Sequence, residues 1–199
     1  MQECDDYNNL PEHTSLQRIL KKQLLEKKEL KIGCGKLKNY KIELASMNDL
    51  DFILELYSER IKWFKENNIR QWSNYQSNHP KSEFVEAINN KNYYIAKQDN
   101  KIVAGFELSV NSKDWNDDIT PAYYIYKIVT KVGYKNLGQV IFEKCKEVAK
   151  INHKKYLRLD CLRNNEKLNN IYESHNFKLI RYGKNEGYSY SLRELKIDE

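Results

Sequence analysis

Residues 157–177 read LRLDCLRNNEKLNNIYESHNF, and this stretch decides the fold. Its opening residues alternate: Leu157, Leu159 and Cys161 are apolar, while Arg158 and Asp160 are charged. A period of two marks a half-buried strand, here expected over 156–161. The period then changes. Leu168, Ile171 and Tyr172 share one face of a helix expected over 167–174. Asn164 or Asn165 can cap it, and Glu166 places a negative charge in its first turn. Asn176 can adopt the left-handed dihedral that closes a helix, so Phe177 starts the next strand.

Upstream, residues 123–130 read as a strand. The loop Lys131-Val132-Gly133-Tyr134-Lys135-Asn136-Leu137-Gly138-Gln139 follows it. A helix then runs from about Gly138 to Ile151, with Ile141, Cys145 and Val148 inward. A loop feeding a helix N-terminus offers unpaired amides and a positive dipole end, which suits phosphate. Taken alone, its two glycines read as readily as turn chemistry.

Before this unit, residues 93–97 and 102–110 form an expected hairpin, joined at Asp99-Asn100. Residues 40–45 read as a first strand. Ser46-Met47-Asn48-Asp49 fits a capping box ahead of a helix carrying Leu50, Ile53, Leu54, Tyr57, Ile61 and Phe64. That helix runs out at Asn67-Asn68, and a shorter one follows Pro80 with Phe84, Val85 and Ile88 inward. After Phe177, residues 177–182 and 188–192 read as a terminal hairpin around Gly183 and Gly187. The order β, α, α, β, β, β, α, β, α, β, β predicts an α/β fold: a mixed, mostly antiparallel central sheet flanked by helices.

The 199 residues fit one domain, expected over 39–199. Residues 1–38 read as a tail and helical extension. Thr14 opens a capping box, Leu16, Ile19, Leu20 and Leu24 share a face, and Gly33-Cys34-Gly35 ends the helix. Such an extension could dock on the domain, or serve as a basic arm for an acidic partner or as a homodimer contact. The net charge of +6 fits a lysine-biased surface or attraction to an anion. Nucleic acid is not the expected partner, because no recognition helix or aromatic RNA-binding signature accompanies that charge. The four cysteines, Cys4, Cys34, Cys145 and Cys161, lack zinc-like spacing, so no metal is expected and reduced thiols in a cytoplasmic protein are. No run approaches the ~18 apolar residues of a membrane span, and the first residues carry acids where a signal peptide needs cations.

Together, Leu159-Asp160-Cys161, Asn165, Leu168, Tyr172-Glu173 and Asn176-Phe177 resemble the GCN5-related N-acetyltransferase (GNAT) pattern. In that family an asparagine follows a strand, a tyrosine comes seven residues later, and a glycine–phenylalanine pair comes next. Asn165 and Tyr172 have that separation, and Asn176-Phe177 stands in the place of Gly-Phe. Gly138-Gln139-Val140-Ile141-Phe142-Glu143 lines up with the start of the family's cofactor helix. The resemblance covers roughly 40–192. It implies the GNAT fold, with acetyl-CoA or another acyl-CoA as co-substrate and no metal. It further implies that backbone groups of Ile128, Val129 and Thr130 bond the pantetheine arm. The amides of Asn136, Leu137, Gly138 and Gln139 would hold the pyrophosphate, Asn165 would contact the cofactor, and Tyr172 would face the sulfur. The loop departs from the family pattern: Asn136 replaces its first glycine and Gly133 its Arg/Gln, leaving Lys131 or Lys135 as cations.

Acetyl transfer to an amine must remove a proton from the amine and return one to the departing thiolate. Tyr172 is the candidate acid. Without the resemblance it would read as a core tyrosine. Glu107 is a candidate base, reading equally as a solvated glutamate, and Asp160 is a third candidate that could instead support the fold. Tyr126 is a catalytic and acceptor-lining candidate. Trp72 is placed to line the acceptor pocket, or to serve as a core or lid residue. The expected activity is transfer of acetyl to a primary amine of a small molecule or peptide by direct attack in a ternary complex. The alternative is an acyl-CoA or protein binding module without turnover.

Overall fold

The computed structural model describes residues 40–69, 71–72, 80–115, 118–185 and 188–198; the expected extension over 1–38 lies outside them, as do Cys4, Cys34 and Gly187. In chain order the elements are β1 (Lys41–Leu44), α1 (Leu50–Glu66), α2 (Lys81–Asn89), β2 (Tyr93–Gln98), β3 (Lys101–Ser109), β4 (Ala122–Thr130), α3 (Leu137–Ile151), β5 (Tyr156–Leu162), α4 (Glu166–Ser174), β6 (Lys178–Asn185) and β7 (Tyr188–Lys196). Short 3-10 turns occupy Met47–Asp49 and Lys113–Trp115. The strands form one sheet in the order β1-β2-β3-β4-β5-β7-β6.

Local chemistry sets these boundaries. The Ser46 amide donates to Asp49 Oδ2 at 2.9 Å, closing the capping box ahead of α1. At the other end of α1, Asn68 takes φ 53°. Asp99 and Asn100 have φ 51° and 59°, the paired left-handed residues of a two-residue hairpin turn. Asn176 takes φ 66° and ends α4 as its residue type allows.

Among the described residues only β4 and β5 pair in parallel, and such a pair needs a long crossover, which α3 supplies. Their ladder is short: Ala122–Tyr156, Tyr123–Leu157 and Tyr124–Arg158. Past it the two strands diverge. A bulge in β4 contributes, since Gly105 pairs with Val129 but Glu107 pairs with Tyr126, and Lys127 within that step has φ 52°. A bulge bends its strand and increases local twist.

Two layers cover the sheet. On one face, α3 and α4 pack Ile141, Phe142, Cys145 and Tyr172 against Phe106, Ile125, Leu157 and Phe177. On the other, α1 and α2 pack Ile53, Tyr57 and Phe84 against Tyr93, Ile95 and Val129. A smaller cluster of Trp115, Tyr124, Tyr190 and Leu192 covers the region across the β4–β5 junction.

The terminal hairpin corrects one expectation. Its strands are longer than the pattern suggested, and Gly183 lies inside β6, paired with Tyr190. A Cβ there would collide with the Tyr190 ring. This glycine therefore serves close packing across the ladder rather than a turn.

Candidate active site

The divergence of β4 and β5 makes a cleft. Tyr124–Arg158 closes one end, and the loop into α3 lies at the other. Along the open part, β4 keeps its pairing with β3 through Thr130, so its opposite edge faces the gap.

Tyr172 lies beside this gap from α4. Its ring packs on Phe142 at 5.9 Å and Phe177 at 6.0 Å, and only 7% of the residue is exposed. Burial pushes its phenol well above the usual tyrosine range. The neighbouring Cys161 and Asp160 push the same way, and Arg193 opposes them. The Tyr172 phenol is thus held in its protonated form.

Asn165 caps α4. Its side-chain oxygen Oδ1 accepts from the Leu168 amide at 3.0 Å, and its Nδ2 donates to Gln71 Oε1 at 2.8 Å. Gln71 belongs to the segment after α1, so this bond ties that segment to the β5–α4 loop. The neighbouring Trp72 packs on Tyr57 at 5.5 Å and Phe64 at 5.4 Å. Its ring is part of the α1 cluster.

The loop before α3 fits an anion. Asn136 takes φ 63° at the N-cap without a side-chain cap bond, and the first helical turn contains no acid. A Cβ at Gly138 would meet only the Phe142 ring, at 3.8 Å, and one at Gly133, with φ +84°, would meet nothing within 4 Å. The amides at this helix start are therefore uncrowded, as a phosphate requires. Lys131 makes an ion pair with Glu59 at 3.4 Å, while Lys135 is exposed. Thr130 has a partner that sequence reasoning missed. Arg60 Nε donates to the Thr130 carbonyl at 2.9 Å, and its Nη2 donates to the Thr130 hydroxyl at 2.9 Å. The signal was present, because Arg60 stands three residues after Tyr57 and four before Phe64, on the inward stripe. That carbonyl is thereby engaged by the protein, leaving Ile128 and Val129 as the other members of the expected pantetheine-binding edge.

The three acid–base candidates separate. Glu107 is nearly buried but salt-bridged to Lys127 at 2.6 Å, and Lys127 also meets Glu83 at 3.4 Å. Lys127 was not foreseen; it turns inward because the bulge places it there. Tyr126 stands on the gap edge and packs against the Trp115–Tyr190 cluster. Burial raises its phenol pKa, a bond with Ser112 opposes that rise, and Asp160 adds to it. Asp160 is half-buried on β5, in the electrostatic reach of Tyr126, Tyr172 and Tyr190. The structure thus gathers Tyr126, Asp160 and Tyr172 at the gap and turns Glu107 toward Lys127.

No family model and no curated relative matches the sequence. Solved structures do. A GNAT-family acetyltransferase from Listeria monocytogenes superposes with TM-score 0.69 at 21% identity, covering 83% of this chain and 98% of its own. The chain has the GNAT fold. A GNAT-family acetyltransferase from Streptococcus agalactiae matches at TM-score 0.67 and 15% identity, over 81% of this chain and 96% of its own. The PaiA N-acetyltransferase of Thermoplasma acidophilum, solved with coenzyme A, matches at TM-score 0.62 and 18% identity, over 79% of this chain and 99% of its own. Among the described residues no helix is long and apolar enough to cross a membrane, and no group of three His, Cys, Asp or Glu could hold a metal ion. Within this GNAT fold the short parallel ladder, the bulged β4 and the α3 N-terminus border the same gap between β4 and β5.

Proposed function

We propose that this chain is an N-acetyltransferase that uses acetyl-CoA, or a related acyl-CoA, and acetylates a primary amine of a small molecule or peptide. The observation that carries the reading is the open edge of β4 running from Tyr124 to the uncrowded start of α3, with the buried Tyr172 beside it.

Acetyl-CoA supplies an activated acetyl thioester. The amides of Asn136, Leu137, Gly138 and Gln139 would hold its pyrophosphate, and the free edge at Ile128 and Val129 would align its pantetheine arm. Asn165, braced by Gln71, would border that arm. Tyr126 would line the acceptor side. Tyr172, kept protonated by burial, would give its proton to the sulfur as the C–S bond breaks and the acceptor nitrogen bonds the carbonyl carbon. The proton lost by that nitrogen restores the phenol through solvent, so the balance is amine plus thioester to amide plus thiol.

A second reading, binding without turnover, is favoured by Asn136 in place of a glycine and by the engagement of the Thr130 carbonyl with Arg60. One experiment separates them. Calorimetry with acetyl-CoA should show binding, and thiol release should follow on addition of an amine. Binding without release from a broad amine panel would support the second reading, and no binding would remove both.

A further inference from the structure

The open edge of β4 ends on a cation. The Lys131 amide donates to the Val103 carbonyl of β3 at 2.7 Å. Backbone groups of successive strand residues point to opposite edges, so the Thr130 carbonyl points away from β3, into the gap. Arg60 of α1 meets it there. Its Nε donates to that carbonyl and its Nη2 to the Thr130 hydroxyl, each at 2.9 Å. One helical turn earlier, the Tyr57 hydroxyl donates to the Lys127 carbonyl, so α1 grips β4 at two points.

The guanidinium is held in place with donors to spare. Its central carbon lies 5.3 Å from the Trp63 ring centre and 5.8 Å from that of Phe64, which steady it against α1. A guanidinium presents its N–H groups as a rigid fork. Nε and Nη2 are spent on Thr130, and Nη1 makes no hydrogen bond among the described residues. Glu59 is within its electrostatic reach, but that carboxylate is paired with Lys131 at 3.4 Å. Lys135 is exposed. Arg60 is thus a half-buried, fixed charge at the point where the β4 edge passes into the loop before α3.

A ligand lying along this edge meets peptide groups first and the N–H fork last. That order suits a chain of amides that ends in a phosphate, because a guanidinium holds phosphate oxygens by directed, charge-assisted bonds. We infer that Arg60 binds, through Nη1, the phosphate joined to the pantetheine arm of the acyl-CoA. The inference rests on the acetyltransferase reading, which it deepens by assigning a phosphate contact to α1, outside the loop before α3. The bonds to Thr130 then have two effects: they aim the fork, and they cover a carbonyl whose partial negative charge would repel a phosphate at the edge.

The test uses the full chain and calorimetry with three ligands: acetyl-CoA, S-acetyl-4′-phosphopantetheine, and S-acetylpantetheine, which lacks the phosphate. The wild-type protein should bind the phosphorylated arm about tenfold or more tighter than the neutral one. Arg60→Met should shrink that ratio by about tenfold while leaving S-acetylpantetheine affinity unchanged. Arg60→Gln keeps an amide donor for Thr130 and loses the charge, so its ratio should shrink likewise, and Arg60→Lys should recover part of the loss. Affinity for acetyl-CoA should fall with the ratio. A wild-type ratio near one, which needs no variant to fold, would overturn the inference. So would a wild-type ratio in both Arg60→Met and Arg60→Gln, or an equal loss for S-acetylpantetheine, which would confine Arg60 to bracing the strand. Absence of acetyl-CoA binding by the wild-type protein would instead remove the acetyltransferase reading beneath it.

Discussion

Tyr124 and Arg158 are joined twice: their backbones form the last rung between β4 and β5, and Arg158 Nη1 donates to the Tyr124 hydroxyl at 3.3 Å. The guanidinium also lies 4.2 Å from the centre of the Trp115 ring and bonds Glu194 and Asp118. The closed end of the cleft is thus held by a charge that is 1% exposed. Where β4 and β5 part depends on this residue.

Arg158→Leu should therefore be strongly destabilising. It leaves Glu194 nearly buried without its cation, and breaking one partner of a buried ion pair costs about 3–5 kcal/mol. Urea unfolding followed by circular dichroism measures this. A loss below about 1 kcal/mol, the size of a surface pair, would show that Arg158 contributes no more than an exposed charge.

Gly183→Ala should cost about 1–3 kcal/mol, the range for forcing extra volume into a packed site. The new methyl would collide with the Tyr190 ring. Combining it with Tyr190→Leu should recover part of the loss, because the ring is the obstacle. Thermal melts of the single and double variants decide it. Additive losses would mean that the two positions are independent.

Gly183 also shows where sequence reading stopped. A glycine near a chain reversal looks like a turn residue, and only the cross-strand position of Tyr190 shows that it yields space to a ring. The elements themselves were legible because local rules agreed: the alternation at Leu157–Cys161, the Asp99-Asn100 turn and the Asn176 helix end each depend on a few adjacent residues. The place of Tyr172 on the buried face of α4 was legible for the same reason, through its helical spacing from Leu168. Lys127 was not, since its inward turn follows from a bulge defined by Gly105 and Val129 on two strands. Likewise, Glu107 read as either a candidate base or a solvated glutamate, because nothing in its own strand announces a lysine 20 residues away. The tie between Gln71 and Asn165 spans 94 residues and has no local signature.

Asn136 tests the phosphate loop. Its left-handed φ of 63° costs a non-glycine residue strain, least for asparagine. Asn136→Gly should keep acetyl-CoA affinity within about threefold, because the backbone shape survives. Asn136→Val should weaken binding by about tenfold or more, some 1.4 kcal/mol, since a β-branched residue resists positive φ. Calorimetry reads both. Equal affinity of the valine variant would mean that the amides at the start of α3 do not hold the cofactor.

Tyr172→Phe keeps the ring packed against Phe142 and Phe177 and removes only the hydroxyl. Stability should change little, and acetyl-CoA affinity should hold. Turnover should fall about 10²–10⁴-fold, the usual contribution of a positioned general acid. Proton bookkeeping gives a further mark. Burial raises the phenol pKa, so the donor form persists through the ordinary tyrosine value of about 10. The wild-type rate should then show no alkaline decline centred there that the phenylalanine variant lacks. A decline of that kind, or full turnover by Tyr172→Phe, would remove Tyr172 as the acid and shift the proton's source to solvent.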